Sequence, residues 1–275
     1  MSKSIHTLVK DIYHLFTSGE VNKDNFEKLL VNPDNAVERG SKDNLLRMSS
    51  LGTPCERQLY YRAHSPEDGE SLEAPQLIKF MFGDMLESFL LQLAVMAGHS
   101  VEGSQDQLDL FGVKGHRDAI IDGCLVDVKS ASSFSFKKFK EGLTPENDAF
   151  GYIGQINAYL SASQDDERLK VKDKAYFLAI DKQLGHLCLS EAPRMAVDWE
   201  KVVKDKQAML ASDKPPERFF KAEPEGKSGN EKLGVNCSYC AFKKKCWPNL
   251  RTFIYYSGPT FLTKVVREPN VQEVK

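Results

Sequence analysis

Apolar positions along this chain change their period several times, and each change marks an element. Residues 4–16 repeat their apolar positions at helical spacing, and a shorter helical pattern spans residues 24–30, ahead of the turn-rich NPDNAVERGSKDN. Residues 1–45 therefore read as a helical appendage. In LGTPCERQLYYRAH, Thr53, Pro54 and Glu56 stand at the cap, first and third positions of a capping box, so a helix should begin just before Cys55. The run APQLIKFMFGDMLESFLLQLAVMAG has the length and near-continuous apolarity of a buried helix. Gly83 and Glu87 lie one turn apart on one face of it, the glycine permitting close approach to a sheet. Between residues 107 and 131 the period becomes two, in QLDLFGVKG, RDAII and CLVDVKSA, which together read as a meander. SFSFKKFKEGLTPENDAF has the composition of a mobile stretch, and an amphipathic helix follows near residues 151–162. Strands at AYFLAI and GHLCLS, a helix over residues 196–211, a Pro- and Gly-containing loop, a cysteine group and a tail from residue 251 complete the chain. Helix, strands, helix, strands is an α/β order, with no internal repeat.

Composition narrows the class. With 275 residues, 41% hydrophobic and 28% charged, the chain can bury a core of its own. Lys and Arg total 37 against 39 Asp and Glu, so the basic excess of a protein that coats duplex DNA is missing and any contact with nucleic acid must be local. No apolar run reaches about 18 residues, and Asp11 interrupts the first segment, so neither a membrane span nor a signal peptide is expected and the compartment expected is the cytoplasm. The motifs of an ATP-binding phosphate loop, a serine hydrolase elbow and an H-E-x-x-H zinc protease are not met.

The sharpest chemistry lies in AIIDGCLVDVKSAS. A two-residue turn at Asp122-Gly123 pairs Ile121 with Cys124, Ile120 with Leu125 and Ala119 with Val126, which sets Asp118 opposite Asp127. Opposed like charges destabilise a sheet, and a cation shared between the two carboxylates resolves the conflict. Alternation brings Lys129 to the face of Asp127 and turns Val126 and Val128 the other way. The same register carries His116 to the flank of Lys129. Directly afterwards, Phe134, Phe136 and Phe139 interleave with Lys137, Lys138 and Lys140, a pattern suited to stacking bases and pairing phosphates of a single strand. An amphipathic helix with one core face explains the same pattern.

Six cysteines in a chain with no secretory signal point to metal rather than disulfides. Cys237, Cys240 and Cys246 form C-x₂-C-x₅-C, and Cys55 is the remote fourth candidate. Three clustered thiolates and one distant partner suit a 4Fe–4S cluster better than the paired knuckles of a zinc ribbon, with Zn²⁺ the alternative. Such a group would act as a clasp between distant parts of the chain. Cys124 and Cys188 sit in apolar strands and read as small hydrophobes.

Taken together these residues resemble the RecB-like branch of the PD-(D/E)xK nucleases. The strand acid corresponds to Asp118, the D-x-K to Asp127 and Lys129, the acid of the preceding helix to Glu87, and the family's Gln-x-x-x-Tyr to Gln155 and Tyr159. The cysteine arrangement, with one before the core and three after, resembles the iron–sulfur nucleases of CRISPR adaptation, the AddB subunit and phage genomes. Leu86 stands where many members have a histidine ligand. The resemblance implies a restriction-endonuclease-like core, a central mixed sheet flanked by helices, over residues 46–250, closed by the cluster. It implies Mg²⁺ or Mn²⁺ held by Glu87, Asp118, Asp127 and the Val128 carbonyl, with Lys129, Gln155 and Tyr159 completing the catalytic set. The activity implied is a DNA exonuclease preferring single-stranded ends, in recombination, repair or phage DNA metabolism, either as a homo-oligomer or with a recombination partner. A structure-specific endonuclease, an end-trimming component of CRISPR adaptation, a non-catalytic DNA-binding subunit and a zinc-binding interaction protein are the competing expectations.

Overall fold

A computed structural model describes residues 3–21, 46–71 and 74–274. The helix expected at residues 24–30 lies outside them. The chain divides into two compact units, Met1–Gly52 with Glu73–Val203, and Thr53–Leu72 with Lys204–Lys275.

The first unit opens with a 3-10 turn (Ile5–Thr7) and α1 (Leu8–Thr17). After α2 (Glu56–His64), which belongs to the second unit, come α3 (Ala74–Met96) and β1 (Val101–Glu102). Two hairpins follow, β2 (Gln107–Leu110) with β3 (Val113–His116), then β4 (Ala119–Ile121) with β5 (Cys124–Ala131). Next are α4 (Ser133–Glu141), α5 (Tyr152–Ala162), β6 (Lys174–Asp181), β7 (Leu187–Pro193) and the start of α6 (Trp199–Leu210), which from Lys204 on belongs to the second unit. The main sheet runs β1-β4-β5-β6-β7 and is mixed, with β5 parallel to β6 and the other pairs antiparallel. A parallel pair needs a crossover, and α4 and α5 supply it.

Alternation along β5 and β6 sends side chains into two cores, one on each face of the sheet. Leu125, Ala131, Phe177 and Ala179 join Phe136, Phe139 and Ile156 from α4 and α5, while Val126, Val128, Tyr176 and Leu178 join Leu8, Ile12, Leu90 and Leu93 from α1 and α3. α1 is therefore part of a core and not an appendage, because its apolar stripe is buried. The buried helix expected at α3 is buried only in its second half. Phe80, Met81, Phe82 and Met85 in its first half are exposed, whereas Leu90 and Leu93 are enclosed. The expected meander is broken, since β2 and β3 form a separate two-stranded sheet. His116 pairs with Gln107 there and is exposed, so its expected place beside Lys129 is not taken. The stretch read as mobile contains α4, whose start Ser132 caps by accepting the Ser135 N–H at 3.3 Å.

In the second unit α2 begins at Glu56 with Cys55 as its cap, two residues later than the capping box suggested. Short strands β8 (Glu223–Pro224) and β9 (Glu231–Lys232) and the single-turn helices α7 (Val235–Ser238) and α8 (Lys243–Cys246) lead to β10 (Arg251–Tyr255), β11 (Gly258–Lys264) and β12 (Glu273–Val274). These strands form a second sheet ordered β12-β10-β11-β9-β8, so the segment expected as a tail is structured around buried Phe253 and Leu262. Among the described residues no helix is long and apolar enough to cross a membrane.

Candidate metal and nucleic-acid site

The hairpin register is the expected one, with Ala119 opposite Val126 and Ile121 opposite Cys124. Asp122 and Gly123 adopt φ values of 49° and 79°, as the tight turn between right-twisted strands requires. The Asp122 carboxylate receives the Ser100 N–H at 3.1 Å and lies 2.7 Å from His99 Nδ1, which fixes the turn.

Just before the Ala119–Val126 pair, Asp118 turns its carboxylate back towards β5 and accepts the Val128 N–H at 2.7 Å. Asp127 is buried, its Oδ2 against the Lys129 ammonium, and Gln155 Nε2 donates to its Oδ1 at 3.4 Å. Glu87 arrives from α3, where Gly83 faces β5 with its Cβ position 3.8 Å from Ser130 Oγ. Burial first, then the charges of Asp127 and Glu87, push the Asp118 carboxyl well above the usual carboxylate range. Burial also raises Glu87, and the neighbouring Asp127 adds to it. Burial works against charge on Lys129, but Asp127 and Asp118 outweigh it and hold the ammonium above its ordinary value. Three acids thus face one lysine, an imbalance that a divalent cation would correct. Asp127 Oδ2 is buried with the Lys129 ammonium as its partner, so a metal at this oxygen would have to compete with that lysine.

Gln155 owes its position to a close crossing. A Cβ on Gly52 would stand 2.1 Å from Gly151 O and 2.6 Å from Gln155 N, and one on Gly154 would stand 2.7 Å from Gly52 Cα. The pair of glycines lets backbone pass against the first turn of α5. That turn is capped by Asp148, which accepts the N–H groups of Gly151, Tyr152 and Ile153 at 2.8–3.0 Å. Tyr159 shares the face of Gln155 but is a core residue, 6% exposed and packed over Gly115. Phe136 is likewise core, at 6% exposure, and drops out of the expected base-stacking set. Phe134 is exposed with Lys138 Nζ 5.2 Å from its ring, Lys137 pairs with Glu141 at 3.7 Å, and Lys140 is exposed.

Two participants had no sequence signal. Gln105 donates its side-chain N–H to Glu87 Oε1 at 2.5 Å, and its backbone N–H points to Arg117 O (3.0 Å) and Asp118 O (3.3 Å). It does so from the left-handed region, φ 57°, which costs a non-glycine residue about 1 kcal/mol. Tyr152 presents its ring 5.2 Å from Lys129 Nζ.

In the second unit Cys55, Cys237, Cys240 and Cys246 are all free thiols. Burial pushes Cys237 up to about 11, with Cys55, Cys240 and Cys246 adding to it, and burial with Cys55 and Cys246 raises Cys240. Cys55, at the start of α2, is raised by burial and by Cys246, against the opposing pull of the Gln58 and Arg57 N–H groups. Four thiols of one unit would fit a thiolate-bound metal or cluster, and Tyr60, Tyr61 and Phe242 pack around Cys240 and Cys246. Among the described residues, however, no three or more His, Cys, Asp or Glu side chains already stand as a metal-holding group. A metal at either centre would require its side chains to move, and at the carboxylates the group that would have to yield is the Lys129 ammonium. Cys124 is buried in β5 as expected, and Cys188 is half-buried in β7.

No protein-family model matches this chain, and no curated protein matches it. Among solved structures, the crystal structure of SSO0001 is 17% identical, with 82% of this chain and 97% of that one covered at a TM-score of 0.43. The crystal structure of an alkaline exonuclease (LHK-Exo) from Laribacter hongkongensis is 15% identical, with 59% and 89% covered at 0.38. Likenesses at this level bear no weight, and the functional reading rests on the residues themselves.

Proposed function

We propose that the chain is a Mg²⁺- or Mn²⁺-dependent nuclease that hydrolyses DNA from its ends, preferring single strands. The observation that carries this is the convergence of Asp118, Asp127 and Glu87 around Lys129, three acids held together against their own repulsion. Glu87, Asp118 and Asp127 would hold the ion, with the Val128 carbonyl beside them. A bound divalent cation polarises a scissile phosphate and acidifies its water. Lys129, once released from Asp127, donates to the attacking water or to charge growing on the phosphate. Gln155 orients Asp127 through its amide. Gln105 holds Glu87, and Tyr159 forms the rear wall. In the second unit the four cysteines would bind a 4Fe–4S cluster, whose role is to hold that unit together. A place in recombination, repair or phage DNA metabolism is supported by the motif resemblance.

The test is digestion of labelled free-ended and end-blocked oligonucleotides with Mn²⁺. Wild type should shorten the free-ended strands and spare the blocked ones, and Asp127→Ala should do neither. Cutting of blocked strands would make it an endonuclease, and a wild type no more active than the variant would leave a DNA-binding protein. For the cysteines, anaerobically purified protein should carry iron and visible absorbance that Cys240→Ser abolishes, and colourless protein with stoichiometric zinc would replace the cluster with Zn²⁺.

A further inference from the structure

Lys129 stands between two partners of different kinds. Its ammonium rests on Asp127, and its Nζ is also 5.2 Å from the centre of the Tyr152 ring, within the reach of a cation–π contact. The carboxylates that act on it, Asp127 and Asp118, both belong to the set that would hold a divalent ion. Occupation of those carboxylates by an ion takes both away from the lysine and adds repulsion. The Lys129 side chain is only 17% exposed, and an enclosed ammonium that loses its counter-charge is costly, so the lysine needs a substitute inside the site. A third acid in that role would compete for the ion. An aromatic face attracts the cation through its quadrupole and does not. The ring is also held in place. Tyr152 is the first residue of α5, its N–H is accepted by Asp148 at 3.0 Å, Gly151 before it takes the left-handed φ of 76°, and the core ring of Phe139 packs against it at 6.0 Å.

We infer that Lys129 has two berths, Asp127 in the metal-free protein and the Tyr152 ring in the loaded one, and that Tyr152 is a positioning residue which lets lysine and ion share one site. The inference rests on the metal-dependent nuclease reading and deepens it. On the ring the ammonium keeps N–H groups for water or phosphate, because the π face takes its charge without occupying every donor.

The experiment measures Mn²⁺ affinity without DNA, from the electron paramagnetic resonance signal of the free ion, for wild type, Tyr152→Phe and Tyr152→Leu, each with Lys129 and with Lys129→Met. Hydrolysis of a single-stranded oligonucleotide is followed in parallel. Tyr152→Leu keeps apolar bulk and removes the π face, so it should weaken Mn²⁺ binding about fivefold, because Lys129 then stays on Asp127. Tyr152→Phe keeps the face and should bind Mn²⁺ as wild type does. Lys129→Met removes the competitor and should bind more tightly than wild type, and in that background Tyr152→Leu should change nothing, a coupling that the double-mutant cycle reads. Tyr152→Leu as tight as wild type would overturn the two berths. So would an equal loss in the Lys129→Met background, or a loss in Tyr152→Phe as large as in Tyr152→Leu. With Mn²⁺-dependent hydrolysis still present in wild type, any of those results leaves the nuclease reading standing. Mn²⁺ bound by none of the variants and no hydrolysis would remove that reading and the berths together.

Discussion

Two charge clusters in the first unit are separated by a single peptide bond, and they are built on opposite plans. Arg117, 1% exposed, reaches Asp106 at 2.7 Å, Asp166 at 2.6 Å and Gly103 O at 3.1 Å, and Arg168 binds the same two acids at 2.6–2.8 Å. Two cations meet two anions. Hydrogen bonds from Arg168 and Arg117 hold Asp166 far below the usual carboxylate range, and at Asp106 the same two guanidinium groups overcome a burial penalty to lower it. On the other side of the bond, Asp118 joins Glu87 and Asp127 around one lysine, and the pKa shifts of Asp118 and Glu87 run upward. The backbone serves both clusters, because Gln105 donates to the carbonyls of Arg117 and Asp118 alike. Closure of charge marks the first as a stabilising knot. Excess of one sign at the second is what the proposed divalent ion would neutralise.

The largest effect expected is on catalysis. Asp127→Asn should cut hydrolysis by about a thousandfold or more, roughly 4 kcal/mol of transition-state stabilisation. In metal-free protein the same change removes one of three repelling charges, so stability measured by urea titration should move by less than about 1 kcal/mol. A drop of several kcal/mol would mean that Asp127 is structural and the contrast false. Arg117→Met should show the converse. It strands Asp106 and Asp166, and breaking such a buried partner costs about 3 kcal/mol, the lower end of the range because both acids keep some solvent. A variant as stable as wild type would remove the knot from the argument.

Gln105→Ala comes next. It leaves the backbone N–H contacts and deletes only the bond to Glu87, so a loss of about tenfold in kcat, near 1.4 kcal/mol, is expected with the melting temperature nearly unchanged. Because Gln105 acts through Glu87, its effect should vanish when Glu87→Gln is already present, and a double-mutant cycle reads that coupling. Two independent losses would place Gln105 outside the site.

Why one cluster was legible in the sequence and the other was not follows from distance along the chain. Asp118, Asp127 and Lys129 belong to one hairpin, and Asp122-Gly123 sets their register with no reference to the rest of the fold. Asp106, Arg117, Asp166 and Arg168 come from segments that only the finished sheet brings together, and nothing local pairs them. Gln105 was invisible for a further reason: its role depends on a left-handed backbone that glycine or asparagine would advertise and glutamine does not. Helical spacing puts Gln155 and Tyr159 on one face but does not say how deep each lies, and Tyr159 is a core residue. The same blindness to depth made all of α3 look buried and α1 look detached, since an apolar stripe records that a face is covered without recording by what.

The smallest effect tests the sign of the charge argument. Arg168 is 41% exposed in its side chain, so its bonds to Asp106 and Asp166 are screened, and Arg168→Gln should cost less than about 1 kcal/mol at neutral pH. Both acids have lowered pKa values in the folded chain, so their contribution is present above the ordinary carboxylate value and is lost as pH falls through the depressed ones. The difference between Arg168→Gln and wild type should therefore shrink on acidification below about pH 4. Asp118 and Glu87 run the other way. A raised acid favours the folded state only while protonated, so the metal-free carboxylate cluster costs stability as pH rises from about 4 towards neutrality, where Mn²⁺ should recover it. Melting curves of both proteins across this range, with and without Mn²⁺, separate the two clusters by slope alone. If the Arg168 difference grew in acid, or if Mn²⁺ stabilised the chain no more at neutral pH than at pH near 4, the two neighbouring clusters would not be opposites.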